Sequence, residues 1–537
     1  MPAEAKGESA MMRRGCIRVF AVFAACCALM ACSKPKSWPM FRHNTARAGH
    51  QSVKSSLSDP MKVANLKVVW TFSPAGAQGF YSSPIVHDGR VFIGNGNGFF
   101  YALNERTGAV LWQYPTGTPL TSSFMCNPSS FGIASSAVAT RVNGKEAVVF
   151  GGPDRSSGAH LGDGHLIALD AETGALLWES PAVAQVTGSG FNDLHEQIGY
   201  SSPLIFHDRV YIGIADHCDN PIQNGKVVAV RLSDGTIDTS FNYVSTSTRG
   251  GGIWNSPAGK DDDLFVTTGN TRNGNVSQPA VNHGLSVLRL NKDTGNVVWQ
   301  HQPVPYALDD DPDWAAGAVA TDTSCGRVVT SQQKDGWAWS VDAGAGGVLW
   351  AFPTGPWATS GFQPGDGTVH GDTDYKRPGA AWGGVYLGVM GGLDTTTNLS
   401  GGYTQLHALN VCAPENRRVR WIKDVPATGG FGYPLGPPSI SHGIVYVGTN
   451  EGHLVVIADP KVAPSSGWRC SDPSVPLPTC AILGSLGSVV RLVPDPAILK
   501  DIALPGASAI FGEPALVGNR VFIADTSGKV FMLEADP

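Results

Sequence analysis

The sequence predicts an all-β fold, an eight-bladed β-propeller of four-stranded antiparallel blades whose ring is closed by N- and C-terminal strands. Three observations predict it. The 537 residues include 66 glycines and 37 prolines with only 15% charged residues, a composition suited to short strands and tight turns. A repeat runs through the chain: small-small-Pro, strand, Gly turn, strand, Asp/Asn-x-x-Thr-Gly, and a strand ending in Trp. The last copy lacks one strand, and an orphan strand lies near the other end of the chain. Repeats of roughly 50 to 75 residues with four strands each are what propeller blades require.

The clearest copies are YSSPIVHDGRVFIGNGNGFFYALNERTGAVLW (81–112) and a second unit over 133–178 that ends HLIALDAETGALLW. Later copies start near Tyr200, Trp254, Trp314, Ala381, Leu435 and Phe511, which makes eight. Their apolar and polar residues alternate, as in half-buried antiparallel strands. The final copy, FGEPALVGNRVFIADTSGKVFMLEADP, has three strands, and LKVVWTF (66–72) supplies the fourth. A blade shared between the two ends hides sheet edges that a free terminal blade would expose. In each repeat the Asp or Asn opens a turn, the Gly supplies positive φ, and Trp112, Trp178, Trp299, Trp350 and Trp421 are expected to dock between neighbouring blades.

The first residues form an address label. Arg13, Arg14 and Arg18 precede an apolar run from Val19 to Met30, long enough for a signal h-region and short for a membrane span. The run ends in LMAC, which resembles the lipobox of bacterial lipoproteins. That resemblance implies a mature chain starting at a lipidated Cys32, with Ser33 giving no inner-membrane retention cue, and so an outer-membrane anchor facing the periplasm or the cell surface. A plain cleaved signal peptide is the alternative. The expected organisation is 1–32 signal peptide and lipobox, 33–65 N-terminal linker or arm, and 66–537 propeller.

Cys126, Cys218, Cys325, Cys412, Cys470 and Cys480 remain beyond Cys32, an even set that fits an oxidising compartment. Cys470 and Cys480 flank a Pro-rich loop and form the expected disulfide. No CxxCH is present, so no covalent haem c is expected. The net charge of −6 and the lack of a Lys/Arg stripe argue against a nucleic-acid partner. GNGNG (94–98) sits between two strands and reads as a hairpin, and HEQIG at His195 lacks the second histidine of a zincin.

The pattern ALDAETGALLW, Ala168 to Trp178, resembles the repeat of quinoproteins, the pyrroloquinoline quinone (PQQ) dehydrogenases, and the resemblance covers nearly the whole mature chain. Phrases such as GIWNSP, TTGN, DWAAGAV and RPGAAWGGVYLG are most similar to the polyvinyl alcohol dehydrogenase-like quinoproteins without the haem c segment. The resemblance implies that Trp254 forms the floor under PQQ and that Asn270 ligates Ca²⁺. DDDPDWAAGAV (309–319) falls where the family carries an Asp-x-Trp-Asp-like segment, which implies Asp311 as catalytic base and metal ligand. QQKDGWAWSVD (332–342) falls at a Lys/Arg-Asn-Gly position, which implies that Lys334 binds cofactor. The family's glutamate ligand is replaced around IADHCDN, leaving Asp216 or Asp219.

PQQ is a flat tricarboxylate, so its site needs an aromatic plane, cations or N–H groups, and oxygen ligands for a hard divalent ion. The resemblance therefore implies a periplasm-facing dehydrogenase for a small or polymeric alcohol, passing electrons to an external acceptor such as a cytochrome c. The alternative expectation is a non-catalytic propeller lipoprotein that binds protein, similar to outer-membrane assembly factors.

Overall fold

Runs such as Arg90–Gly94 (RVFIG) and Phe100–Asn104 (FYALN) are rich in aromatic and β-branched residues and buried on both faces, whereas Val110–Tyr114 begins exposed. They are joined by tight turns. Asp88 and Gly89 both adopt positive φ (47° and 73°), the pairing that matches the twist of a two-residue hairpin. The computed structural model describes residues 37–537 except 77, 124–129, 155–161, 189–192, 217–221, 246–249, 272–282, 304–312, 315, 334–336, 354–369, 372–383, 390–402, 427–435, 472–475, 487 and 489. Among the described residues, no helix is long and apolar enough to cross a membrane.

The strands build a propeller of four-stranded antiparallel blades. Seven sheets have four strands, where eight were expected, and one further sheet has five. In chain order these are sheets 1 (85–114), 2 (138–179), 3 (204–244), 4 (258–301), 5 (319–353) and 6 (370–426), then sheets 7 and 8. Sheet 7 (439–458 and 497–503) departs from the expected pattern because His50–Gln51 adds to its innermost strand in parallel. Sheet 8 combines 515–534 with Lys67–Phe72, paired antiparallel from Lys67 opposite Glu534 to Phe72 opposite Val530. The innermost strands of sheets 1 to 6 neighbour one another in turn, as do those of sheets 7, 8 and 1. Sheets 6 and 7 share a core of Leu406, Trp421, Ile440 and Val447.

Adjacent sheets are fastened by the repeat's tryptophans. Trp112 of sheet 1 donates its indole N–H to the Ala171 carbonyl of sheet 2 at 3.2 Å, and Trp178 of sheet 2 donates to Leu232 of sheet 3 at 3.0 Å. Trp299 donates to Ala343 and Trp350 to Val411, both at 3.0 Å, and Trp421 to the Asp459 carboxylate at 2.9 Å. Trp70, on the strand supplied by the N-terminal part, does the same to Glu105 at 3.2 Å. For Trp70, Trp112, Trp178 and Trp299 the ring lies on a glycine of the next sheet's third-to-fourth turn. A Cβ on Gly174, whose φ is +73°, would stand 2.7 Å from Trp112, and one on Gly108 equally close to Trp70. Glycine is thus required there twice, by backbone conformation and by the indole above it. Sheet 3 has no such tryptophan, and its Asn242 backbone fills the place over Gly295.

The small-small-Pro signature has an equally specific cause. The Ser136 hydroxyl accepts the Ser83 N–H (2.8 Å), Ser202 accepts from Ser136 (3.0 Å), Ser256 accepts from Ser202 (2.9 Å), and Ser83 accepts from Glu513 (2.9 Å). These bonds form an arc around the axis at the start of the innermost strands and satisfy buried backbone donors that no ladder reaches.

Residues 38–51 lie across the axis and bond to the free edges of innermost strands. Trp38 pairs with Val86 of sheet 1 and Met40 with Val138 of sheet 2, both antiparallel, and the Thr45 and Ala46 carbonyls accept from Gly259 and Ala320. The arm is locked by buried charge. Glu513, fully buried where sheets 1 to 4 carry serine, accepts from the Trp38 indole at 3.1 Å and from the Arg42 backbone N–H. Burial pushes its carboxyl up, opposed by Arg42 and by the bonds it accepts. Arg47 donates to the carbonyls of Phe41, Pro203 and Pro257, and burial lowers its pKa to about 9. Disulfides join Cys325 to Cys412, between sheets 5 and 6, and Cys470 to Cys480. Cys126 and Cys218 lie outside the described residues.

Trp178→Ala should remove both the indole bond and the plug between sheets 2 and 3, with a loss of about 3–5 kcal/mol. Chemical denaturation checks this, and an unchanged midpoint contradicts the fastening role. A second expectation concerns acid. Burial, then the neighbouring His50, depress the His43 pKa to about 4. An unfolded histidine titrates near 6.5, so between about pH 6.5 and 4 the unfolded chain holds a proton that the folded one lacks. Stability should therefore fall on acidification through that window, and the melting temperature of His43→Gln should fall less. Parallel pH profiles for the two chains would sink the assignment.

Candidate functional site

Each sheet is an antiparallel meander, so its second-to-third connection and its links to neighbouring sheets lie at one end of the strands, the site end. The first-to-second and third-to-fourth connections lie at the other, the turn end. Trp254 sits on the link between sheets 3 and 4, while Asp216 and Asn270 sit on second-to-third connections. These three expected site residues therefore belong to loops at the site end of sheets 3 and 4. Asp311, Lys334 and Asp219 lie outside the described residues, as does Cys32.

The described loops are tied to one another by a continuous set of bonds. The Asp216 carboxylate accepts the Gln223 N–H at 2.8 Å, and the Gln223 carbonyl accepts from Gly250 at 3.0 Å. Gly251 donates to the Asn270 carbonyl at 2.6 Å, and Gly269 donates to the Gly252 carbonyl at 2.7 Å. Gly250 and Gly251 take φ of 133° and 70°, and a Cβ on Gly252 would meet Ala215 at 3.1 Å, so the Gly-Gly-Gly run lets this backbone press against its neighbours. Trp254 follows directly, half-buried, two residues from the Gly252–Gly269 bond.

The acidic segment joins the same set. Asn255, buried beside Trp254, donates to the Trp314 carbonyl at 2.7 Å and to the Thr267 hydroxyl at 3.1 Å. The hydroxyls of Thr267 and Ser331 both donate to the Ala316 carbonyl, at 3.2 and 2.7 Å. Asp313 is buried (5% exposed), and its Oδ1 lies 2.8 Å from where a Cβ on Gly269 would stand. The carboxylate therefore rests on the Gly269-Asn270 turn. Asn270 is itself 8% exposed. Trp314 bridges Gln333, and Gln333 donates to the Trp337 carbonyl at 2.9 Å.

The structure thus ties together the loops that carry Trp254, Asn270 and the Asp313-Trp314 pair, and links Asp216 to them through backbone. Among described residues, the acid against Gly269 is Asp313, two residues from the expected Asp311. The sequence also misses Asn255, whose amide ties Trp254's neighbour to Trp314, and the arm below. Phe41, Arg42 and Arg47 line a small cavity of about 20 Å³ with Tyr200, Trp254 and Val319, so Trp254 borders an arginine-lined space on the arm's side. The sequence signal for that arrangement is the Glu513 that interrupts the repeat's serine.

The sequence matches the PQQ_2 family model, described as outer membrane protein assembly factor BamB, over residues 63–277 and 162–355, together more than half the chain. It is 25% identical over 299 residues to the quinoprotein alcohol dehydrogenase PedH of Pseudomonas putida, covering 48% of this chain and 45% of that protein. It is 26% identical over 235 residues to the outer membrane protein assembly factor BamB of Yersinia pestis, covering 43% and 45%. The chain spans about half the length of these curated relatives. A europium-containing methanol dehydrogenase superposes with a TM-score of 0.64 at 15% identity, over 94% of this chain and 98% of that one. A quinohemoprotein alcohol dehydrogenase from Comamonas testosteroni gives 0.61 at 16% identity, over 93% and 80%. At those identities the likeness concerns the fold alone.

Gly269→Ala should force Asp313 off the Gly-Asn turn and lower stability by about 1–3 kcal/mol. Gly117→Ala, where a Cβ meets nothing within 4 Å, is the control. Equal urea midpoints for the two variants would mean that Asp313 does not rest there.

Proposed function

Because this chain belongs to the PQQ_2 family of repeat propellers, we propose that it is a quinoprotein dehydrogenase. It would oxidise a small or polymeric alcohol with PQQ and Ca²⁺ and pass electrons to an external acceptor such as a cytochrome c. The same reading takes the eight sheets as one closed ring, sealed by Lys67–Phe72, with its working mouth at the site end. The observation that supports the proposal is that the loops carrying Trp254, Asn270 and the buried Asp313 are hydrogen-bonded or packed against one another at the site end.

The residues fit the group. Among the described residues no three His, Cys, Asp or Glu side chains cluster to cage a metal. The donor set is one carboxylate and one amide on adjacent loops, which suits a hard ion that completes its shell with oxygens of a bound ligand. When bound, PQQ supplies a two-electron acceptor. Trp254 offers the stacking plane, Lys334 a cation for the carboxylates, and Asn270 with Asp216 and Asp311 or Asp313 the oxygens for Ca²⁺. Asp311 takes the proton from the alcohol oxygen, and Asp313 is the second candidate because its carboxylate lies against the Gly269-Asn270 turn.

A non-catalytic scaffold is the second reading, and one observation favours it. The residue after Trp314 is Ala315, so the segment reads Pro-Asp-Trp-Ala where an Asp-x-Trp-Asp pattern has its second acid. Titration of the purified chain with PQQ in millimolar Ca²⁺, followed by dye reduction with an alcohol panel, separates the two readings. Binding and turnover are expected. Asp311→Asn or Asp313→Asn, whichever removes the proton acceptor, should lower turnover by roughly 10² to 10⁴ while PQQ binding survives. A parent chain that takes up no PQQ overturns the dehydrogenase reading.

A further inference from the structure

The connection between the third and fourth strands of sheet 7 is unlike its counterparts. Elsewhere it is short, from tight turns such as 104–109 or 170–175 to the loops 232–242 and 411–418, whereas here residues 459–496 build a small unit of their own. A hairpin of Gly467–Cys470 and Leu492–Asp495 carries a helix, Leu477–Ser485, tied back by the Cys470–Cys480 disulfide. The unit rests on sheet 6 through Val493 in the shared core and through Lys423 to Asp495 at 3.0 Å.

Its outer surface is apolar. Trp468 is 61% exposed, Leu477 49%, Ile482 62% and Leu486 77%, and the helix LPTCAILGS contains no charged residue. The other exposed aliphatic residues of the sheets, such as Leu111, Leu176 and Val298, are scattered over the outer strands of different sheets. Single exposed apolar residues need no explanation, but a group on one disulfide-braced unit does. Arginines flank it. Gly484 of the helix packs on Arg491, whose guanidinium donates to the carbonyls of Asn416 and Val419 beside Arg417.

The topology says which way this surface faces. The unit departs from the turn end, opposite Trp254 and Asn270, and its hairpin runs up the outer strand of sheet 6 with Arg491 at Val419 and Asp495 at Lys423, which leaves the helix on the turn-end side. The arm begins at that end too. Trp38 and Met40 run antiparallel to innermost strands that lead from the site end to the turn end, so Ser37 lies on the turn-end side of Trp38. His50–Gln51 runs parallel to the innermost strand of sheet 7, so the arm also leaves toward the turn end. Cys32 precedes Ser37 by five residues, a reach of about 17 Å when extended.

We propose that the 459–496 unit is a membrane-docking element whose Trp468, Leu477, Ile482 and Leu486 enter the boundary between headgroups and acyl chains of an anionic bilayer. The orientation rests on the reading of Cys32 as the lipidated residue. A diacylglycerol anchor on Cys32 holds the chain to the bilayer but leaves the propeller free to tumble, and an apolar patch with flanking cations at the same end supplies a second contact that fixes its orientation. Together they lay the turn end on the bilayer and present the site end to the aqueous phase. Trp and Leu on a short uncharged helix are the residue types that partition into that boundary.

The test uses purified full mature chain carrying Cys32→Ser, so that no lipid anchor contributes, and vesicles of phosphatidylethanolamine and phosphatidylglycerol. The parent should co-sediment with the vesicles, less so at high salt. The double variant Ile482→Asp/Leu486→Asp, and separately Trp468→Ser, should partition at least tenfold more weakly with unchanged melting, while Val298→Asp binds like the parent. A parent that stays in the supernatant, or a double variant that binds as well as the parent, overturns the proposal. So does a parent dimer that the double variant converts to monomer, since the patch would then be a self-interface. Cell fractionation of Cys32→Ser is read separately: a chain that remains in the membrane fraction refutes the anchor, whatever the vesicles report.

Discussion

An indole laid on the glycine of the next sheet's turn, with its N–H given to a carbonyl there, is the contact on which the rest of the molecule depends. Trp112 over Gly174 and Trp178 over Gly235 each cap a sheet-to-sheet core that the strands alone leave open at its outer edge. The inner part of such a core is built from stacked rings and aliphatic chains, as where Phe100 lies 4.1 Å from Phe150 with parallel planes. Because the tryptophan fixes both the spacing and the height of one sheet against the next, loops at the site end of consecutive sheets arrive at the same level. A site assembled from three sheets requires that alignment.

The inner rim is held by a different chemistry. Serine hydroxyls pass hydrogen bonds from sheet to sheet, and where the chain inserts Glu513 for serine, the arm's Trp38 and Arg42 complete the pattern. Burying that carboxylate is unfavourable unless its partners stay in place. The arm is therefore fixed by charge as well as by strand pairing, and it lines one cavity together with Trp254. Sequence, buried charge and the position of the candidate stacking plane are in this way one chain of cause.

What the sequence discloses follows from what repeats. Small-small-Pro, the Gly turns and the terminal tryptophans recur, so fold class, strand order and the pairing of 66–72 with the last repeat were legible. Trp70 belongs to the same set and passes unnoticed because its strand is separated from its sheet by most of the chain. The arm was illegible beyond its existence, since most of its partners are backbone edges that carry no sequence signature, and Glu513 in a serine position is a single mark that no repeat explains. The fifth strand of sheet 7 is a consequence of that arm. In the site, spacing alone separates Asp311 from Asp313 poorly, as one side chain in a run of acids looks like another. Only the closeness of Asp313 to Gly269 distinguishes it, and that depends on a fold-level contact between sheets 4 and 5.

The most direct measurement is a crystal structure of the chain grown with PQQ and Ca²⁺. The account predicts a planar ligand stacked on Trp254 at the site end, with a cation held by Asn270 and a carboxylate from the 311–313 segment. A ligand bound anywhere else, or clear density for an empty mouth with Trp254 packed away from Asp313, would contradict it.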